Sequence, residues 1–157
     1  QHILRIRDLQ DDTGGFTEFV PLPFVHMEAP IYLKGGSRRG PTFRETVLMH
    51  AVARLAFHER IANVQASWVK LGRAGIRACL QAGVNDLGGT LMDETISRSA
   101  GASHGHEMTP EAMEALIVSL DRTPRMRTTL YDDVSHERRQ SACNAEASGL
   151  RLAMGAQ

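Results

Sequence analysis

Apolar residues recur along this chain first at helical and then at alternating spacing. Ile3, Ile6 and Leu9 share one face of a 3.6-residue period, and Gly14 and Gly15 predict where that helix stops. From Phe16 to Leu22 the period shortens to two. Extended backbone there puts Phe16, Glu18 and Val20 on one side and Thr17, Phe19 and Pro21 on the other, with Pro21 and Pro23 ending the strand. Val47, Leu48, Ala51, Val52, Leu55 and Ala56 then form the stripe of a helix opened by Thr42, and Thr42 with Glu45 has capping-box spacing. Ile61 to Val69 predicts a second strand. Its Ala62, Val64, Ala66 and Trp68 set is wholly apolar and expected to face helices, leaving Asn63, Gln65 and Ser67 on the opposite side. A short helix opened by Gly72 and Gly75 carries Ile76, Cys79 and Leu80 and ends at Gly83. A third strand begins at Val84 and runs into the polar loop of GVNDLGGTLMDET. Thr109 and Pro110 open a last helix with Met113, Leu116, Ile117 and Leu120 on one face.

Helix and strand in alternation predict parallel β/α units, so the expected fold class is α/β. Three strands cannot close a barrel, which takes eight strands and about 250 residues. The chain is therefore expected to be a small open domain or part of a larger barrel. In either case polar residues at the C-terminal strand ends are where a ligand belongs. Glu18, Gln65, Lys70, Asn85, Asp86 and Glu94 occupy such positions and are the candidate substrate- or cofactor-binding residues. The proline- and glycine-rich stretch from Pro23 to Pro41 is too long for a plain connection and is expected to cover a ligand.

Composition narrows the choices. Eighteen basic and eighteen acidic residues leave a formal net charge of zero, which gives no reason to propose attraction to nucleic acid or to an anionic membrane surface. No basic start leads into an apolar run, and no apolar run approaches the roughly 20 residues that span a bilayer, so a cytoplasmic location is expected. Cys79 and Cys143 lie far apart and suggest neither a disulfide nor a metal knuckle; Cys79 reads as a small buried hydrophobe. His50 and His58, eight apart, form no metal pair and are expected to be structural or at the surface. His104, His106 and Glu107 lack the spacing of a helical metal motif, and no metal ligand is assigned. Dinucleotide, Walker and G-x-S-x-G signatures are absent.

Four segments carry a resemblance: GGFTEFVPLPFVHMEAPIYLKG, RRGPTFRETVLMHAVARLAFH, NVQASWVKLG and GVNDLGGTLMDETISRSAGASHGHEM. Together they resemble the C-terminal portion of the 7,8-didemethyl-8-hydroxy-5-deazariboflavin synthase family, in particular its tyrosine-using half, within the radical S-adenosylmethionine superfamily. The likeness runs over about residues 4 to 131. It implies the C-terminal βα units of a TIM-like barrel, incomplete in this chain. Residues 1–131 would supply about strands six to eight, and 132–157 a divergent or poorly anchored tail. It further implies a transferase joining the 4-hydroxybenzyl unit of tyrosine to 5-amino-6-(D-ribitylamino)uracil in deazaflavin coenzyme biosynthesis. The cofactors implied are a [4Fe-4S] cluster and S-adenosylmethionine, and the partner a fused or separate ring-closing radical enzyme. The family's CxxxCxxC loop does not occur in this sequence, so the isolated chain is expected to be inactive. A sister radical enzyme of menaquinone biosynthesis, and a non-catalytic remnant or binding module, are the alternatives.

Overall fold

The computed structural model describes residues 1–90, 96–102 and 107–142. The chain forms two compact units, Gln1–Glu107 and Met108–Gln157.

In the first unit, helix α1 spans His2–Thr13 and ends as its sequence predicts. Gly14 turns left-handed at φ 61°, and its N–H donates to the Gln10 carbonyl at 2.8 Å. Strand β1 is short, Glu18–Phe19. The stretch that follows contains one small helix, α2 (Pro30–Leu33), and leads into α3 (Phe43–Ala56). The capping box at α3 is complete: Thr42 accepts from the Glu45 N–H, while the Glu45 carboxylate accepts from the Thr42 N–H at 2.7 Å. Strand β2 (Asn63–Val64) pairs in parallel with β1 in the register Glu18–Asn63 and Phe19–Val64. Gln65 then bridges in parallel to Asp86, which makes the Val84–Leu87 segment the third member of the row. Asn85 donates its N–H to the Val64 carbonyl, and Ala66 donates to that of Asp86.

The extended run expected to reach Val69 stops earlier. Backbone N–H groups of Lys70 and Leu71 both turn back to the Ser67 carbonyl at 3.1 Å, and helix α4 runs Trp68–Gln81. Gly72, at φ 61° and ψ −179°, breaks this helix after its first turn. The predicted glycine-opened helix is thus its second part, and a preceding turn takes what periodicity assigned to the strand. Trp68 and Val69 have good strand propensity, but local hydrogen bonding overrides it.

The core lies between the strands and helices α3 and α4. Phe57, Ile61, Val64, Ala66, Ile76, Cys79 and Val84 are fully or almost fully buried. Phe19 packs on Phe57 with ring centroids 4.9 Å apart. The expected sidedness holds for the paired residues: Phe19 and Val64 face the helices, while Glu18, Asn63, Gln65 and Asp86 share the other face. Just before β2 it does not, since Ala62 is exposed and Ile61 buried. A short helix α5 (Ile96–Ser99) completes the described part of this unit.

In the second unit, α6 (Pro110–Val118) has Thr109 as its N-cap, accepting from the Ala112 N–H at 3.1 Å, with proline in the first turn. An antiparallel bridge joins Arg127 to Asp133, and the Arg127 guanidinium lies 4.0 Å over the Tyr131 ring. Residues 136–142 are helical. Among the described residues no helix is long and apolar enough to cross a membrane.

Candidate functional site

Three of the predicted residues meet on the strand face turned away from the helices. The Gln65 carboxamide donates to Glu18 Oε2 at 3.3 Å and is itself the bridge partner of Asp86. Asp86 is 8% exposed, and its carboxylate accepts from the Gly88 N–H at 2.7 Å, folding the chain into a tight turn beyond the strand. Gly88 adopts φ 72°, and a Cβ there would stand 3.3 Å from the Gln65 carboxamide. Glycine thus serves both the turn and the close approach of Gln65. The Trp68 indole holds the same loop from the other side, donating to the Gly89 carbonyl at 2.9 Å.

Lys70 lies in the first turn of α4 rather than beyond a strand. Its partly buried ammonium donates to Ser97 Oγ at 2.6 Å, and Ser97 is 1% exposed. Asn85 projects to the opposite side from Asp86. Its Oδ1 accepts from the Val64 N–H at 2.9 Å and from Arg54 at 2.5 Å, and its Nδ2 donates to the Ala62 carbonyl at 3.1 Å. Arg54 also reaches the Gly83 and Ala62 carbonyls, so Asn85 and Arg54 together tie α3 to β2 and to the third segment. Glu94, His104 and His106 lie outside the described residues.

The stretch between β1 and α3 is folded in itself. His26 Nδ1 accepts from the Gly40 N–H at 3.1 Å, and the His26 ring meets Tyr32 edge-on at 4.7 Å. The Glu28 N–H donates to the Ala100 carbonyl at 3.0 Å, and a Cβ on Gly101 would come within 2.9 Å of Met27 Cβ. This loop therefore joins the segment that follows the third strand.

The residues present do not fit an iron–sulfur cluster. Cys79 is buried in α4, where burial pushes its thiol up to about 11, and among the described residues no three His, Cys, Asp or Glu side chains gather as metal ligands. A cluster needs several thiolates in one place.

Sequence reasoning passed over Ser97, Trp68 and Asn63 as site residues. Asn63 sat on the predicted polar set, and its amide donates to the Thr17 carbonyl at 2.9 Å, fixing β1 beside β2. The roles of Ser97 and Trp68 come from contacts more than 20 residues away in sequence, which no local pattern encodes.

His50, read as structural or at the surface, is fully buried behind β2. Nδ1 lies 2.8 Å from the Thr46 carbonyl, and Nε2 makes no good hydrogen bond near the Gln65 backbone. Burial lowers its pKa from the ordinary 6.5, against the opposing pull of the Thr46 and Gln65 backbones. As pH falls, the unfolded chain therefore takes up this proton before the folded one. The stabilisation from neutral His50 is complete above the ordinary value and declines as pH drops below it. Denaturant titrations from pH 7.5 to 5 should show this decline in the native protein and a shallower one in His50→Gln; equal slopes would contradict it.

Parallel β/α units with a polar face on the strands define the class: an α/β segment. The chain belongs to the family described as CofH/MqnC C-terminal region, whose model matches residues 13–140. It is 56% identical over 133 residues to the 5-amino-6-(D-ribitylamino)uracil–L-tyrosine 4-hydroxyphenyl transferase of Methanopyrus kandleri, covering 85% of this chain and 36% of that protein. It is 55% identical over 133 residues to the FO synthase of Nocardia farcinica, covering 85% of this chain and 15% of that one. The FO synthase of Streptomyces coelicolor is 48% identical over 145 residues, 92% of this chain and 17% of that protein. The chain thus spans little more than a third of the transferase and less than a fifth of either synthase.

Proposed function

We propose that this chain is the closing part of a radical S-adenosylmethionine enzyme that joins the 4-hydroxybenzyl unit of tyrosine to 5-amino-6-(D-ribitylamino)uracil in deazaflavin coenzyme biosynthesis. The observation that carries this reading is the 56% identity over 133 residues to the transferase of that name, beside a family match over residues 13–140 that takes in Glu18, Gln65 and Asp86. In this reading residues 1–131 supply about strands six to eight of a TIM-like barrel, and 132–157 a divergent or poorly anchored tail. Two features support incompleteness. The row of three parallel segments is unclosed among the described residues, and a groove of about 730 Å³ opens beside α3, lined by Leu22, Leu48, Met49 and Val52.

The cluster and S-adenosylmethionine supply the radical in the complete enzyme. The cluster's ligands are not among this chain's residues, so the isolated chain is inactive. What the chain contributes is positioning. Glu18, Gln65 and Asp86 present hydrogen-bonding groups on one face, Lys70 adds a cation, and the Pro23–Pro41 stretch is the segment proposed to cover the ligand. Glu94, outside the described residues, is kept as a further candidate contact from its place in the sequence. Asn85 acts by holding the third segment in register with β2. The family description also covers a second branch, which keeps a sister enzyme of menaquinone biosynthesis as the other reading.

The test places residues 13–140 in the corresponding region of the M. kandleri transferase. Gln65→Ala and Asp86→Ala in that protein should each lower kcat/KM for tyrosine at least about tenfold, the scale of one lost hydrogen bond to a charged or buried group, with circular dichroism unchanged. Unaltered kinetics for both would sink the site assignment. A product made without ribitylaminouracil would favour the sister reading.

A further inference from the structure

The Lys70 ammonium meets a neutral partner. The ammonium is partly buried and held by one side chain, the neutral hydroxyl of Ser97 at 2.6 Å, and no carboxylate of the described residues pairs with it. Partial burial strips hydration from a charge, and a hydroxyl returns only part of what is lost. Ser97 is 1% exposed, so its oxygen is fixed by packing and sets where the ammonium stands. Lys70 follows β2 and Ser97 follows the third segment, so their hydrogen bond joins the chain beyond two neighbouring strands.

We propose that Lys70, positioned by Ser97, is the recognition point for the carboxylate of an α-amino acid substrate; the identity of that amino acid rests on the functional reading above. A single ammonium suits a singly charged group. Phosphate sites commonly gather an arginine fork or several backbone N–H groups, whereas the Lys70 ammonium meets a hydroxyl. A carboxylate docked here completes a charge-assisted pair, which is about twice as strong as a neutral hydrogen bond. Binding at one carboxylate also orients the rest of the amino acid toward Gln65 and Asp86.

Trp68, the one tryptophan of the chain, shares the helical turn of Lys70 and reports on occupancy by its fluorescence. The experiment titrates the 157-residue protein with 4-hydroxyphenylacetate and with 4-methylphenol, which lacks the carboxylate, and then with tyrosine, leucine and inorganic phosphate. The carboxylate should improve affinity about tenfold or more, Lys70→Met should abolish that advantage, and Lys70→Arg and Ser97→Ala should each retain part of it. An equal response to the two phenols, an advantage that survives Lys70→Met, or phosphate binding more tightly than the carboxylates would overturn the proposal. A carboxylate advantage with tyrosine no better than leucine would uphold it while removing support for tyrosine as substrate. Thermal melts of each variant separate loss of the site from loss of the fold.

Discussion

Phe57→Ala is expected to cost about 3–5 kcal/mol of folding stability, the range for removing a large buried aromatic ring. Phe57 is fully buried at the end of α3 and is the ring on which Phe19 packs. β1 has only two paired residues, Glu18 and Phe19, so it depends on that contact more than a long strand would. Domains of this size are stable by about 5–15 kcal/mol, so the loss is a large share of the total. Because Phe19 adjoins Glu18, the same change should free the Glu18 carboxylate from Gln65. Urea titration of native and variant protein measures the first effect, and a loss below about 1 kcal/mol would show that the ring pair does not anchor the strand.

Gly40→Ala should be the most damaging single change in the loop. A Cβ at that position would lie 1.9 Å from the Phe24 carbonyl oxygen, which belongs to backbone and cannot rotate away, and 3.2 Å from His26 Nδ1. The Gly40 N–H to His26 bond and the Phe24–Gly40 approach cannot both survive. Overpacking of this kind typically costs about 1–3 kcal/mol, and here it falls on the loop beside the strand ends. Trypsin should then cut faster at Lys34, Arg38 and Arg39 while α3 and α4 keep their amide-exchange protection. Cleavage at the native rate would mean that the loop tolerates the methyl group and is not closed by this contact.

Much of this was legible in the sequence because the signals were local. The Thr42–Glu45 box, the Gly14 stop and the Thr109–Pro110 start each involve residues within four positions, and each appears as read. Strand sidedness was also legible, since alternation alone separates Phe19 and Val64 from Glu18 and Gln65. The strand's end was not. Ser67, Trp68 and Val69 fit an extended pattern, and only the turn back to the Ser67 carbonyl decides for a helix. Asn85 and Asp86 could not be told apart by composition. Their opposite directions follow from the pleat, which places one against Arg54 and Val64 and the other beside Gln65 and Gly88. Ser97 carried no sequence signal, because its importance lies in meeting Lys70 across 27 positions.

Transplanting residues 13–140 into the corresponding region of the M. kandleri transferase shows whether this segment works inside a complete enzyme. The chimera, reconstituted anaerobically to about four iron and four sulfide per chain, is supplied with S-adenosylmethionine, tyrosine and 5-amino-6-(D-ribitylamino)uracil, and its products are weighed by mass spectrometry. The expected products are the 4-hydroxybenzyl adduct of the ribitylaminouracil from the chimera and none from the 157-residue protein alone. A folded, cluster-loaded chimera that forms no adduct would contradict it, as would adduct formed by the isolated chain.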